Sequence, residues 1–249
     1  SKTIERSHYM IKGNELVIDG IGTSRFPFKV IVHESPSVIL AESKTSLLEH
    51  KGMSGALSQT NRHRDLIEKS YTIYIVKPSE YQLHQFMGLF IKEQFWLESE
   101  RMKTTRLWCY RVKCTEVKQE RDGVYATKAT FICHPTKFFK SIDRQTLTSN
   151  GVLRVQGTSL AFPKITIMGN SATETQFTIG DQVIKIEKVT EPLVMVNEPN
   201  SPSFLTVSKK YIKWSGDFIT IDPSAKKEVG VVLGRGITSL SFETNWGWA

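Results

Sequence analysis

Short runs of alternating apolar and polar residues recur along most of this chain, which is the pattern of β-strands that bury one face. In the N-terminal half, the runs at 9–11 and 16–18 flank a Gly-Asn turn at 13–14, and a longer apolar run covers 71–76. In the C-terminal half, short apolar runs alternate with turns rich in glycine, asparagine and aspartate, and none has helical periodicity. The pattern predicts a mainly β chain whose C-terminal half is a β-sandwich or barrel.

One segment has the periodicity of a helix. Ser79 and Gln82 have the spacing of a capping box. Four apolar residues then recur at helical spacing, and a stripe of this kind usually covers a sheet. The spacing predicts a helix over about 79–93, with Trp96 and Leu97 closing the element. The stripe consists of Leu83, Phe86, Met87 and Phe90.

A long β-hairpin follows the helix. Two β-runs at 107–117 and 124–133 flank an Asp-Gly pair, which is a strong hairpin signal. The first run alternates aromatic with charged or hydroxyl side chains, and we predict a hairpin over about 107–133. Its charged face either prevents uncontrolled pairing of an exposed strand or contacts another subunit. The residues assigned to such a contact are Arg111, Lys113, Thr115, Asp122 and Gly123.

The chain ends in an apolar segment. Residues 230–249 contain two strand-like runs, divided by a Gly-Arg-Gly sequence and followed by Trp246 and Trp248. Side chains two positions apart share a face of an extended segment. We interpret this segment as a final strand that closes a β-sandwich. The alternative is an aromatic platform that binds a ligand.

Composition and charge favour two domains with ordinary hydrophobic cores. The 249 residues are 39% hydrophobic and 10% aromatic, and the net charge is +8. Residues 1–140 hold 22 basic and 15 acidic residues, whereas 141–249 hold 11 and 10. The charges are scattered, which argues against nucleic-acid binding. The one tight basic cluster, at 61–64, is followed at once by two acidic residues and indicates an exposed loop.

Candidate chemistry is sparse. No apolar run is long enough for a transmembrane helix, and residues 1–6 lack the apolar core of a signal peptide. The three cysteines form no Cys-X-X-Cys motif, so we expect free thiols in a reducing cytoplasm. The histidines form no metal-binding motif, and no nucleotide-binding glycine motif occurs. We therefore expect no metal, no cofactor and no catalytic site.

Four short motifs occur in order along the chain. They are Gly-Xaa-Ser-Gly-Xaa-Leu at 52–57, Cys-His-Pro-Xaa-Xaa-Phe at 133–138, Ser-Gly-Asp-Phe at 215–218 and Gly-Val-Val-Leu-Gly-Arg-Gly-Ile-Thr-Ser-Leu-Ser-Phe at 230–242. The strand at 71–76, the capped helix and the hairpin lie between the first two. In this order and in its length, essentially the whole chain resembles the distal tail protein (Dit) family. These proteins belong to siphophages of Gram-positive bacteria, and the resemblance is to the lactococcal and streptococcal type.

The resemblance implies two domains in a ring. Residues 1–145 would form the ring-forming N-terminal domain, a β-sandwich with the helix and with the hairpin as a belt. Residues 146–249 would form a galectin-like β-sandwich, whose last strand can return to the N-terminal domain. Six copies would close a homohexameric ring, and a long hairpin can reach across to a neighbour in such a ring.

The resemblance also implies a place in the virion, at the distal end of the phage tail, after assembly in the host cytoplasm. The ring would be the baseplate hub that joins the tail tube to the tip and to the host-adsorption apparatus. Its partners would be the major tail protein, the tail-associated tip protein (Tal) and an upper baseplate or receptor-binding protein. DNA would pass through the ring without specific binding, and no membrane contact or enzymatic activity is implied.

Two other functions compete with the structural hub. In a carbohydrate-binding module that contacts host cell-wall polysaccharide, Trp214, Trp246 and Trp248 would stack on sugars. A galectin site also needs polar groups around one tryptophan, and no His-Asn-Arg pattern leads to any of them. Fold alone does not confer that function. A hydrolase is the least supported, since nothing in the sequence singles out a catalytic pair of acids.

Overall fold

The computed structural model describes residues 15–34, 37–52 and 54–249. The strand predicted at 9–11 and the turn at 13–14 lie outside the described residues.

The chain forms two compact units, Ser1–Lys137 and Phe138–Ala249. The sequence places this boundary between residues 145 and 146. Strands dominate both units, and the described residues contain a single α-helix, which confirms the prediction of a mainly β chain.

The first unit is built on one extended sheet. In chain order its strands are β1 (Leu16–Ile18), β2 (Ile21–Gly22), β3 (Lys29–His33), β4 (Ser43–Glu49), β5 (Ala56–Arg64), β6 (Ile67–Val76), β7 (Phe95–Ser99), β8 (Thr105–Cys114), β9 (Lys118–Arg121) and β10 (Val124–Phe139). Hydrogen bonds join seven of them in the order β2-β1-β7-β8-β10-β6-β3, and β9 pairs with β10 beside this path. Strands β4 and β5 form a separate two-stranded sheet.

A short helix covers one face of this sheet. Helix α1 (Glu80–Met87) begins at Ser79, whose Oγ accepts a hydrogen bond from the Gln82 N–H, and the Gln82 side chain accepts one from the Ser79 N–H. A 3-10 turn continues it as far as Ile91. Phe90 in this turn meets Phe131 of β10 edge to face, with ring centroids 6.2 Å apart. The helix therefore seals the core of the first unit.

The helical segment is shorter than the sequence predicts. The backbone at Lys92 is already extended, and Gln94 has a left-handed φ of 54°. Trp96 and Leu97 consequently lie on β7, so the prediction that they close the helix is wrong. These two residues instead belong to a strand whose alternate residues are buried.

The segment predicted as a hairpin forms the middle of the sheet. Strand β8 lies between β7 and β10, and β10 lies between β8 and β6. The turn falls at Asp122-Gly123, where Gly123 has a φ of 69°, and it joins the short strand β9 to β10. Within residues 107–133, strand β9 has every residue exposed. Most of residues 107–133 is therefore committed to pairing inside the first unit.

The second unit is a β-sandwich. Its strands are β11 (Asp143–Leu147), β12 (Gly151–Arg154), β13 (Lys164–Gly169), β14 (Thr175–Ile179), β15 (Gln182–Ile186), β16 (Leu193–Val196), β17 (Ser203–Thr206), β18 (Trp214–Ser215), β19 (Glu228–Leu233), β20 (Ile237–Thr244) and β21 (Gly247–Trp248). One sheet has the order β11-β20-β13-β16-β17, and the other has the order β12-β19-β14-β15-β18. Apolar side chains of both sheets enter one continuous core.

A side-chain amide links the edges of the two sheets. The Gln145 side chain of β11 donates to the Arg154 carbonyl oxygen at 2.8 Å and accepts from the Arg154 N–H at 3.1 Å. This pair of bonds repeats the pattern of a strand ladder, so the amide satisfies backbone groups of β12 that would otherwise face solvent.

Candidate functional site

The two-stranded sheet β4–β5 of the first unit, which we call the ribbon (residues 43–64), carries exposed apolar side chains. Among the described residues its strands pair only with each other. Leu47, Leu48 and Leu57 are 66%, 56% and 58% exposed. A two-stranded hairpin is marginally stable by itself in water. The ribbon therefore presents apolar side chains that the described part of the chain leaves uncovered.

The pairing register places apolar side chains on both faces of the ribbon. Leu48 lies opposite Leu57 and shares a face with it, whereas Leu47 lies opposite Ser58 on the other face. The segment carries four basic residues and one acidic residue. A surface with leucines on both faces and net positive charge has the chemistry of a protein-binding arm.

Contacts between the two chain segments close the root of the ribbon. Arg64 donates from Nη1 to the Ala41 carbonyl oxygen at 2.8 Å. The Asp65 N–H donates to the Glu42 carbonyl oxygen at 3.0 Å. Lys44 forms an ion pair with Asp65 at 3.9 Å. These contacts hold the two ends of the ribbon together, while its leucines remain exposed.

The residues that the sequence assigned to a subunit contact lie elsewhere. Lys113 pairs at 3.9 Å with Glu68 on β6 of the same sheet, and the Lys128 N–H donates to Thr115 Oγ1 at 2.9 Å. Arg111 is exposed on β8. The structure does not gather them on a projecting arm, because β8 and β10 are paired within the sheet.

The three tryptophans of the second unit do not form a common platform. Trp214 packs edge to face between Phe204 and Phe218, with ring centroids 5.2 Å from each. Trp246 is buried in the core at 1% exposure, and its Nε1–H donates to Asp143 Oδ2 at 2.9 Å. Trp248 is 47% exposed. The two terminal tryptophans therefore differ in environment.

Backbone contacts dock the C-terminal segment in the second unit. The N–H groups of Thr158 and Ser159 donate to the Gly247 carbonyl oxygen at 2.9 and 3.1 Å. The Phe139 N–H donates to the Trp246 carbonyl oxygen at 2.8 Å. Trp248 also meets Phe139 edge to face, at 5.4 Å between centroids. The segment acts as a closing strand, which is the first of the two interpretations drawn from its sequence.

Polar side chains with catalytic potential are scattered. No group of three or more His, Cys, Asp or Glu side chains comes together in the part of the chain that the structure describes. Cys109, Cys114 and Cys133 are free thiols, and the first and last are buried. Burial lowers the pKa of His134 to about 4, and its Nδ1 accepts a hydrogen bond from the Thr136 N–H at 3.0 Å. A neutral histidine in this setting holds backbone in place.

Within the described ranges, no helix is long and apolar enough to cross a membrane.

Comparison with known proteins identifies the architecture. No protein-family model matches the sequence, and no curated protein matches it. Among solved structures, the crystal structure of the Dit protein of phage SPP1 matches with a TM-score of 0.63 at 12% identity, covering 92% of this chain and 97% of that one. That protein is described as a hub of the adsorption apparatus in phages that infect Gram-positive bacteria.

A second solved structure has a weaker likeness. The phage P2 baseplate in its activated, calcium-containing conformation gives a TM-score of 0.43 at 13% identity, over 88% of this chain and 90% of that one. The first match spans both units of this chain and nearly all of its counterpart. The chain has the fold of the SPP1 Dit protein.

Proposed function

We propose that this protein is a phage distal tail protein, which assembles as a homohexameric ring and serves as the hub of a baseplate. The observation that carries the proposal is the match of both units to the Dit fold at nearly full coverage. The uncovered ribbon supports it independently, because it presents a surface suited to another protein chain. A structural role also fits the scattered polar chemistry of the described residues.

The ribbon supplies the kind of interface that a ring requires. A closed ring is built from heterologous contacts, in which one surface of each copy meets a different surface of the next. Covering a leucine side chain fully stabilises an assembly by roughly 2 kcal/mol. Three leucines on one arm therefore supply several kilocalories per mole at each of the repeated contacts, before the cost of ordering side chains is subtracted.

The ribbon replaces the 107–133 hairpin as the proposed belt. Residues 107–133 lie mostly inside the sheet, whereas the ribbon has no neighbouring strand among the described residues. The exposed end of β8, with Arg111 and Lys113, and the turn at Asp122-Gly123 remain a second proposed contact surface. Their charges suit specificity and register more than binding energy.

The proposed ring has defined neighbours. It would join the major tail protein of the tail tube to the tail-associated tip protein, and it would carry an upper baseplate or receptor-binding protein. The second unit would be a galectin-like sandwich that faces outward from the ring. DNA would pass through the ring without specific binding, and the protein would reside at the distal end of the tail.

Sedimentation velocity on the full chain tests the ring and the role of the ribbon together. The expected species is a hexamer, six times the 28.3 kDa chain mass. The double variant Leu48→Ser, Leu57→Ser should shift the population to monomer, because it removes the apolar pair on one face of the ribbon. The matched control is Val152→Ser, Val232→Ser, which changes two valines of similar exposure in the second unit. A double ribbon variant that sediments as the wild type does would exclude the ribbon as the subunit contact.

A second candidate function, the binding of host cell-wall polysaccharide, depends on Trp248. It is the one half-exposed ring among the three proposed for sugar stacking, since Trp246 is buried and Trp214 is packed between two phenylalanines. Calorimetric titration with host polysaccharide tests this candidate. A binding heat that disappears in Trp248→Ala supports it, and the absence of any heat in the wild type removes it.

A further inference from the structure

A small pocket lies at the base of the ribbon, inside the first unit. We call it the root pocket. Its volume is about 210 Å³, and its apolar lining includes Ile67, Met102 and Leu107. Ile67 and Leu107 are almost completely buried, so they form its floor. One wall is the segment from Ser37 to Ile39, which leads within a few residues into β4.

Positive charge gathers around this apolar floor. Lys69, Arg101 and Lys137 all line the root pocket, and Glu34 is the one acidic residue among the described residues that line it. Glu34 Oε1 lies 3.4 Å from Lys69 Nζ, and its Oε2 lies 4.0 Å from Arg101 Nε. One carboxylate is therefore shared by two cations while a third cation lies on the same lining.

The buried members of this cluster are tightly constrained. The side chains of Lys69 and Glu34 are only 10% and 11% exposed. Lys69 Nζ also donates to Ser37 Oγ at 3.2 Å. Burying a charge is costly unless it is paired, and the cost falls when an opposite charge enters the same low-dielectric space. A second anion in the pocket would therefore be stabilised by cations that the fold already holds in position.

Lys137, which lines the root pocket, lies near a second cation, Arg64. Burial lowers the pKa of Lys137, and the nearby charge of Arg64 lowers it further. Arg64 is the last residue of the ribbon, and its guanidinium is held by the Ala41 carbonyl oxygen. An anion that binds between these groups relieves this repulsion and does so at the point where the ribbon leaves the sheet.

We propose that the root pocket binds a carboxylate on a short apolar stem, which is the chemistry of an acidic side chain presented by another protein chain. The apolar floor contacts the stem, and the cations at the rim donate charge-assisted hydrogen bonds to the carboxylate. The pocket volume admits a side chain of this size. The site belongs to the first unit alone, so it stands whether or not the ring forms. The source of the acidic side chain, a second copy or a different tail protein, rests on the proposed function.

Propanoate is a suitable probe because it reproduces the end of a glutamate side chain. The full chain, labelled at its methionine methyl groups, is titrated with propanoate and with the neutral isostere propanamide, and the Met102 methyl signal is followed by NMR. We expect a saturable shift of Met102 with a dissociation constant on the order of 10 mM, as befits a ligand of five heavy atoms. Propanamide should produce no saturable shift.

Variants show whether the named cations create the site. Arg101→Gln and Lys137→Gln should each weaken propanoate binding about tenfold, because each removes a charged hydrogen-bond donor. Lys128→Gln is the matched control, since Lys128 is an exposed cation of the same sheet that lies outside the root pocket. Equal binding of propanamide, no response of Met102 to propanoate in either the wild type or the dissociated ribbon variant Leu48→Ser, Leu57→Ser, or unchanged affinity in both pocket variants would each overturn the proposal.

The same titration, made in the ribbon variant Leu48→Ser, Leu57→Ser and in the wild type, identifies the source of the carboxylate. If a second copy supplies the carboxylate, propanoate binds the dissociated variant and fails to bind the assembled wild type. If another tail protein supplies it, propanoate binds both equally. The two readouts also separate the claims, because a chain that sediments as a monomer contradicts the ring while its Met102 response still tests the pocket.

Discussion

Truncation of Trp246 to alanine is expected to destabilise the second unit by about 3–5 kcal/mol. The indole is 1% exposed and belongs to the core that both sheets share. A tryptophan buries about 200 Å² of surface, which corresponds to roughly 5 kcal/mol at 25 cal/mol per Å². The truncation also removes the donor that meets Asp143 Oδ2 at 2.9 Å.

Trp248→Ala is the matched control for this prediction. Trp248 lies two residues further along the same terminal segment, is 47% exposed and has one edge-to-face ring partner. Its truncation should cost no more than about 2 kcal/mol, because only part of its surface leaves water on folding. The more conservative Trp246→Phe should fall between the two, since the phenyl ring keeps much of the packing and loses the hydrogen bond to Asp143.

Urea unfolding of the full chain, followed by circular dichroism, measures these differences. The transition of the second unit is compared between the variants, with the slope of each transition checked for equality so that the midpoints report stability. Equal urea midpoints for Trp246→Ala and Trp248→Ala would contradict this prediction. It is refuted equally if Trp246→Ala lies within 1 kcal/mol of the wild type, because a buried indole in a packed core cannot be removed at so small a cost.

Three further predictions follow from particular contacts. Gly157 has a φ of +72°, and a Cβ there would overlap the Gly247 carbonyl oxygen, so Gly157→Ala should lower the melting temperature of the second unit. The control is Gly230→Ala, whose Cβ would have no atom within 4 Å and which should leave the melting temperature nearly unchanged. Lys69→Met leaves Glu34 buried with its nearest cation removed, and it should lower the free energy of unfolding by about 3–5 kcal/mol in chemical denaturation. The double variant Lys69→Met, Glu34→Gln should recover most of that loss. A double variant as unstable as the single one would contradict the pairing. Burial lowers the pKa of His134 to about 4, so as the pH falls below 6.5 the unfolded chain binds a proton that the folded chain does not bind until about pH 4. The free energy of unfolding of the wild type should therefore fall by up to about 3 kcal/mol, relative to His134→Gln, as the pH is lowered through this range. Parallel pH profiles of the two proteins would contradict this.

Local chemistry in the sequence predicted several elements of the fold. The capping box at Ser79 and Gln82 depends on residues three apart, and the structure has it as predicted. The predicted turn at Asp122-Gly123 joins two strands that pair across it. Signals of this kind depend on neighbours in the chain, so one sequence contains all the information they need.

Elements that depend on distant pairing were not predictable in the same way. The run from Leu107 to Cys133 has the alternation of a hairpin whether it projects from the domain or lies inside a sheet. Its place between β7 and β6 is set by strands far away in the chain. Strand β7 was hidden for a related reason, since Trp96 and Leu97 extend the apolar stripe of the helix without a clear break.

The ribbon was the most important element that the sequence did not predict. Its alternation is weak, because leucines lie on both faces and neither face is buried within the described chain. Hydrophobic periodicity detects a strand through the face that the domain buries, and the ribbon has no such face. The signal available was its turn, where Gly52 and Gly55 have positive φ values.

The terminal tryptophans illustrate the same distinction. The sequence predicted correctly that the C-terminus is docked, because an apolar end of this length needs cover. It also suggested a shared face for Trp246 and Trp248, and their very different exposures follow from where the segment leaves the core. Tertiary position, and not spacing, decides which of the two rings remains in contact with water.

Electron microscopy of the purified full chain shows directly whether the protein assembles as a hexameric ring. Two-dimensional class averages of the wild type should show rings with six-fold symmetry, whereas the Leu48→Ser, Leu57→Ser variant should appear as monomers. Monomeric particles from the wild type at high concentration, with no ring even in the presence of the tail-tube and tail-tip proteins, would contradict the account.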